Sequence, residues 1–239
     1  MKQNLIELME ILLSLIFLIC GLLANFLIKP KDASFYSIAR IFVGIAFLVI
    51  LSLWLILIAE IKNIAIPEFL SLFLRWVEIF WHLVVGFLIG NIVLKIRSKI
   101  FIDDLEITTG ATLWAVSIMS GNIFLIAPLG KLFNMVNMTA FFTSSGYVWF
   151  LYFIIVAELL GGLGILFHFK FEIGPLAASG LLLIMAGAVY THWKDHNPFT
   201  DAFSAIYQLM TLCLLLVLYY LESYVNNTLK MPDTNILWI

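Results

Sequence analysis

Long apolar runs separated by short polar stretches dominate the chain, a pattern typical of helices that cross a membrane. A hydrocarbon core about 30 Å thick is spanned by roughly 20 helical residues. Backbone groups in lipid must bond internally, and the runs are continuous instead of alternating, so they predict helices and not a barrel. The pattern predicts an all-α, polytopic helical membrane protein with about seven transmembrane helices, at 8–28, 37–59, 70–94, 108–127, 147–167, 174–193 and 201–221.

A charge-dense stretch at 95–106 divides these predicted helices into two groups. Three basic residues are followed there by three acidic ones, whereas the flanking runs are almost free of charge. This predicts an N-terminal three-helix membrane region at 1–100 and a four-helix membrane domain at 107–222.

The segment after Pro128 predicts a short helix lying in the membrane interface, with a plain solvated loop as the alternative. Asn134 and Asn137 fall on one side of such a helix. The opposite face carries Leu132, Met135, Val136, Thr139 and Phe142.

Composition and charge narrow the class of protein further. Hydrophobic residues make up 63% of the 239 residues and charged residues only 12%, about half the usual charged share of a globular domain. Seven spans would use roughly 140 residues, which leaves little room for a domain outside the membrane. The net charge of -2 and the absence of a basic cluster in the sequence argue against a nucleic-acid partner. The expected location is the cell membrane, with the lipid bilayer as the first partner.

Basic residues in short loops predict the orientation, because such loops face the cytoplasm. The N-terminus is therefore expected outside and the C-terminus in the cytoplasm, and the connections after the fourth and sixth predicted spans are expected at the outer surface. The residues on which this depends follow the first and third predicted spans: Lys29, Lys31, Lys95, Arg97 and Lys99.

The sequence lacks the residues that disulfide exchange and metal binding would require. Cys20 and Cys213 lie in different predicted spans, so no Cys-x-x-Cys pair is available for disulfide exchange. His192 and His196 are four apart, but Asn197 and Pro198 are expected to end the helix there, which argues against a metal site. We therefore predict no metal site and no covalently bound cofactor.

Glu158 lies near the middle of the fifth predicted span, where an ionisable side chain costs about 2.5 to 3.5 kcal/mol. Its carboxyl group is expected either to be protonated or to pair with a cation such as Lys131. Two interpretations stay open for Glu158: a carboxyl that handles protons or binds a ligand, and a structural hydrogen bond that ties helices together.

The third predicted span carries a polar stripe. Arg75, Glu78 and His82 are spaced three and four apart and share one helical face, which is expected to face the other helices and not lipid. The stripe could relay protons or hold a polar headgroup. The alternative, which the sequence favours, is an ion pair of Arg75 and Glu78 near the interface, with their long aliphatic side chains reaching toward water.

Three further polar side chains lie in or at the end of predicted spans. His192 ends the sixth span, and Tyr207 and Gln208 lie within the seventh. Histidine at an interface is commonly an anchor, and Tyr and Gln are commonly helix-to-helix hydrogen-bond partners. Together with Lys131 and Glu158 they form the predicted ligand-binding set.

From about residue 112 to 221 the sequence resembles the DoxX family of small four-helix membrane proteins. The order and spacing of four motifs carry the resemblance: PLGKLF at 128–133, Phe141 with Gly146, AELLGGLGILF at 157–167 and GPLAASGLLLIMAGAVYTHW at 174–193. It implies a C-terminal four-helix DoxX-like bundle. The family includes the small subunit of an archaeal thiosulfate:quinone oxidoreductase, and distant relatives act as cargo receptors or receptor-assembly factors.

Three functions are consistent with these features. The first is a redox-linked membrane subunit that binds a quinone, or another lipid-soluble ligand, and works with a soluble or peripheral oxidoreductase subunit. The second is a non-catalytic membrane assembly or cargo factor. The third is a small-solute transporter, for which an inverted repeat would be typical, and no clear repeat is visible in the sequence. Whether the protein is an enzyme stays open; if it is one, a membrane oxidoreductase subunit is expected.

Overall fold

All regular structure in the part of the chain that the structure describes is helical. The computed structural model describes the following residues: 16, 19–20, 50–59, 61–62, 82–94, 102–144, 146–195 and 199–229. These residues form two shorter apolar helices and six further ones: α1 (Ile50–Ala59), α2 (His82–Leu94), α3 (Ile102–Phe133), α4 (Met135–Ser144), α5 (Val148–Leu166), α6 (His168–Phe171), α7 (Gly174–Lys194) and α8 (Phe199–Leu229).

Four of the helices are long and apolar enough to cross a membrane, namely the greater part of α3, all of α5 and α7, and the greater part of α8. They coincide with the fourth to seventh predicted spans, which confirms the all-α, polytopic class. Helices α1 and α2 fall inside the second and third predicted spans. Most of the first predicted span, 8–28, lies outside the described residues, and the division at 95–106 stays a prediction.

The boundary predicted at Pro128 is wrong. Helix α3 runs through Pro128 and ends at Phe133, six residues beyond the predicted end at 127. Proline removes one backbone donor from a helix, but neighbouring helices can compensate for that loss within a membrane bundle. The extension carries Lys131 into the last turn of α3.

The predicted interface helix exists as α4, but its apolar face differs from the prediction. Met135, Thr139 and Phe142 are half-buried against the rest of the protein, whereas Val136 is 84% exposed. Leu132, which the pattern had placed on the same face, belongs to α3 and is exposed. Asn134 forms the turn between the two helices and so changes the direction of the chain between them.

The four long helices form a closed ring in which each packs against two others. The order around the ring is α3, α5, α7 and α8, and α8 closes against α3. Short connections make consecutive helices antiparallel, so the ring is an up-down-up-down bundle. Its core is built from fully buried aliphatic and aromatic side chains, among them Leu113, Phe124, Ile165, Leu181, Leu212 and Leu215.

Helices α1 and α2 lie against the side of the ring that α3 and α8 form. Val84 and Leu88 of α2 pack with Ala115 and Met119 of α3. Trp54 of α1 donates a 3.0 Å hydrogen bond from Nε1 to Oδ1 of Asn122. The outer faces of α5 and α7, by contrast, expose many large apolar side chains, including Tyr152, Phe153, Val156, Leu160, Leu176 and Leu183.

Helices α3 and α5 approach so closely that their backbones touch. A Cβ atom added to Gly162 would lie 2.9 Å from the carbonyl oxygen of Gly121 and 3.1 Å from the carbonyl carbon of Phe124. Small residues allow this approach in membrane helices. The close crossing fixes α5 against α3, and it thereby fixes the position of Glu158, four residues before Gly162.

A candidate ligand site between the four long helices

A buried ion pair links α3 to α5. Nζ of Lys131 lies 2.9 Å from Oε1 and 2.6 Å from Oε2 of Glu158, so both carboxylate oxygens accept from one ammonium group. The Glu158 residue is 3% exposed, and 24% of the Lys131 side chain is exposed. The predicted contact between these two residues is therefore confirmed.

The geometry of the pair requires Lys131 to point into the bundle. Lys131 lies at the end of α3, whereas Glu158 is the eleventh residue of α5, about 15 Å from the beginning of that helix at 1.5 Å per residue. An end-of-helix lysine ordinarily extends toward water. Here its ammonium group instead neutralises the carboxylate, because removing an unpaired charge from water is costly.

The ion pair forms part of the wall of a cavity of about 420 Å³ in the half of the bundle where α4 lies. This volume is within the usual range for small-molecule sites, which are mostly apolar with a few polar groups. The aromatic part of the wall comes from three helices and the residue before α5: Phe124 of α3, Phe141 and Phe142 of α4, Tyr147, and Phe150 of α5. The ammonium group of Lys131 and the carboxylate group of Glu158 form a single charged spot in this mostly apolar wall.

Four of the five predicted ligand-binding residues line this cavity, namely Lys131, Glu158, His192 and Gln208. Tyr207 does not line it. Consecutive helical residues point about 100° apart, and of these two only Gln208 faces the cavity.

Tyr207 instead faces the neighbouring α2. Its ring centroid lies 5.1 Å from that of His82 and 6.5 Å from that of Phe203. His82 is half-buried at the beginning of α2 and therefore lies against the bundle, the direction predicted for the polar stripe. The other two residues of that stripe, Arg75 and Glu78, lie outside the described residues.

Gln208 carries a polar atom that no described residue satisfies. The residue is 8% exposed, and its Oε1 is buried without a hydrogen-bond partner within the described ranges. Buried polar groups in folded proteins nearly always have a partner, because leaving one unpaired costs about 1 to 3 kcal/mol. An unsatisfied amide oxygen in the wall of a cavity therefore indicates that a hydrogen-bond donor belongs there.

A second polar cluster lies at the opposite end of the bundle, and the sequence did not reveal it. Nε2 of His168 is 3.2 Å from Oε2 of Glu222, and the His168 ring is 4.3 Å, centroid to centroid, from that of Tyr219. The hydroxyl groups of Tyr219 and Ser117 are 3.4 Å apart. Gly174 leaves room for the cluster, since a Cβ there would meet the Tyr219 hydroxyl at 2.5 Å.

Only a weak sequence signal pointed to this cluster. Tyr219 and Glu222 are three apart and share one face of α8. His168 follows the fifth span directly, where a histidine is ordinarily an interface anchor. Within the described residues, no group of three or more His, Cys, Asp or Glu side chains could hold a metal ion.

The four spanning helices define a multi-pass integral membrane protein with an internal cavity. Residues 115–217, less than half of the chain, match the model of the DoxX-like family. This confirms the resemblance over that segment, which contains every residue that lines the cavity. No curated protein and no solved structure is significantly similar to the chain.

Proposed function

We propose that the protein is a redox-linked membrane subunit that binds a quinone, or a lipid-soluble ligand of the same kind, in the cavity between the four long helices. The observation that carries the proposal is the buried Lys131–Glu158 pair in the wall of an otherwise apolar cavity. With the orientation that the basic residues predict, this site lies in the outer half of the bilayer.

The chemistry of the cavity suits a quinone ring. A quinone carbonyl oxygen accepts hydrogen bonds, and the Lys131 ammonium group has three N–H donors, of which the Glu158 oxygens account for two. The aromatic walls at Phe124, Phe142 and Phe150 provide flat apolar surfaces against which such a ring can stack. The Gln208 amide, on the α8 side, presents an unpaired oxygen, Oε1, which can accept a hydrogen bond from a hydroxyl group of the reduced ring, the quinol.

The same groups can manage protons. Reducing a quinone to a quinol consumes two electrons and two protons, so protons must reach the carbonyl oxygens in a nearly dry site. Lys131 can donate one of these protons at such an oxygen and regain it from water at the interface, where 24% of its side chain is exposed, and Glu158 stabilises the ammonium form. The second proton comes from water. The electrons would come from the soluble or peripheral oxidoreductase subunit that the family resemblance implies.

Gln208 supplies the sharpest test of this proposal, because its unpaired Oε1 contributes no hydrogen bond to the fold. A short-chain benzoquinone titrated into the purified protein is expected to quench the tryptophan fluorescence saturably; the chain has seven tryptophans. Gln208→Leu removes the acceptor for one quinol hydroxyl, so in a matching titration with the reduced, quinol form of the probe it is expected to raise Kd about fivefold, which corresponds to about 1 kcal/mol.

Tyr207→Phe provides the matched control. It changes the neighbouring residue, which faces α2 and not the cavity, so its Kd is expected to equal that of the unchanged protein. A titration that shows no saturable quenching in the unchanged protein would overturn the proposal. A Kd that rises for Tyr207→Phe and not for Gln208→Leu would mean that the ring binds elsewhere.

A further inference from the structure

The outer surface of the bundle carries an apolar groove between α5 and α7. It encloses about 620 Å³, and its floor consists largely of small residues, Ala157, Gly161, Gly164, Ala177, Gly180 and Gly187. Leu160 and Leu183, on its sides, are 64% and 74% exposed. In a membrane these exposed leucines face the acyl chains, so the groove lies open to the bilayer.

The groove and the cavity share part of their walls. Phe150, Ile184 and Gly187 line both, so the two spaces adjoin between α5 and α7. Gly187 presents no side chain there, and a Cβ added to it would have no atom within 4 Å. The adjoining region therefore has a gap in the side chains that separate the cavity from the groove.

The packing of α5 on α7 explains why the gap lies where it does. Toward the α6 end, a Cβ on Gly164 would lie 2.6 Å from Cβ of Ala177, and one on Gly161 would lie 2.5 Å from Cγ of Leu181. The helices are in close contact at this end. Gly187, six residues beyond Leu181 on α7, has open space beside it, so the side-chain packing opens toward the cavity.

We propose that this gap is a lateral portal, through which the apolar tail of the bound ligand leaves the cavity and lies in the groove. The inference rests on the proposed function, and it adds the class of ligand: an amphipathic molecule with a polar, flat head and a long aliphatic tail. The head lies against Lys131 and Gln208, whose buried and unpaired Oε1 independently indicates a missing hydrogen-bond donor, such as a hydroxyl group of the reduced head.

The position of the gap supports this occupant over a small, tailless one. On its other sides the cavity is bounded by α3, α4 and α8. The gap at Gly187, by contrast, leads directly onto the exposed leucine surface, so a tail there would cover the groove and never leave an apolar environment. Entry from the bilayer follows, since a lipid-soluble ligand is concentrated there.

Two probes with the same ring test the proposal: a dimethoxy-methyl benzoquinone without a tail and its decyl derivative. In the unchanged protein the decyl form is expected to bind roughly tenfold more tightly, a modest part of what burial of its methylene groups could give. Gly187→Leu fills the portal, and Gly180→Leu fills the groove beyond it. The advantage of the tail is the ratio of the Kd of the tailless probe to that of the decyl probe. Both variants are expected to reduce this ratio to about twofold or less.

Gly110→Leu is the matched control. Gly110 also has no atom within 4 Å of an added Cβ, but it lies in α3 and lines neither the cavity nor the groove. It is expected to keep the full advantage of the tail. The detergent takes up the decyl tail equally in every variant, so only the difference between variants reports on the groove.

The outcomes separate the two proposals. If the tailless and decyl probes both bind and the advantage of the tail is the same in Gly187→Leu, Gly180→Leu and Gly110→Leu, the portal is overturned and the quinone site survives. If neither probe binds to the unchanged protein, the proposed function fails and the portal fails with it. If the tail loses its advantage in Gly187→Leu and Gly180→Leu but keeps it in Gly110→Leu, both proposals are supported.

Discussion

Replacing Lys131 with methionine is expected to lower the free energy of unfolding by about 3 to 5 kcal/mol, because it leaves the Glu158 carboxylate buried without its partner. Glu158→Gln is expected to cost roughly half as much. The Lys131 side chain is 24% exposed, and a glutamine oxygen still accepts one hydrogen bond from it. Thermal and chemical unfolding in detergent would measure both effects.

The double variant Lys131→Met/Glu158→Gln distinguishes a pair from two separate contributions. It contains no unpaired charge, so it is expected to be more stable than Lys131→Met alone. Lys170→Met serves as the control, since Lys170 is an exposed lysine on α6, and its change is expected to stay within about 0.5 kcal/mol. Strictly additive single effects would contradict the ion pair.

Gly162→Ala is expected to destabilise the bundle by about 2 kcal/mol, although alanine favours helices more than glycine does. The added methyl group would lie 2.9 Å from the carbonyl oxygen of Gly121. Backbone atoms cannot rotate away as a side chain can, so α3 and α5 must move apart. The movement would also displace Glu158 from Lys131, and the melting temperature would fall.

Gly180→Ala makes the same chemical change at a position with no atom within 4 Å. Its stability is expected to equal or slightly exceed that of the unchanged protein, because alanine has the higher helix propensity. Equal losses for Gly162→Ala and Gly180→Ala would show that glycine itself, and not the close helix crossing, is what the protein requires at these positions.

The spanning helices could be predicted from the sequence because their signal is local. Each needs only a continuous apolar run of sufficient length, and α5 and α7 follow their predicted bounds within one residue. The end of α3 could not be predicted in the same way. Pro128 is a helix breaker by local rules, and the packing of α3 in the bundle outweighs those rules.

The part of the candidate site that depends on charge was predictable from the sequence. A mid-span acid such as Glu158 has to be protonated or paired with a cation, and the sequence offered Lys131 as such a cation. The face that the seventh span turns toward the cavity was not predictable. Which of Tyr207 and Gln208 faces the cavity depends on the rotation of α8 about its axis, which its packing against α3 and α7 sets.

Two features required the three-dimensional structure. The contact of His168 with Glu222 joins residues 54 apart, and no local pattern relates them. The gap at Gly187 depends on how closely α5 and α7 pack, which the glycines permit but do not specify. Both features arise between helices, where the sequence of one helix carries little information about its neighbour.

The most direct test of the account is the identity of the molecule that the protein retains. Protein purified gently from its membrane would be extracted with organic solvent and analysed by mass spectrometry, with Gln208→Leu purified in parallel. We predict a quinone in near-stoichiometric amount in the unchanged protein and markedly less in Gln208→Leu. A preparation that holds no quinone, and that instead copurifies with a stable protein partner, would contradict the account and favour an assembly or cargo factor.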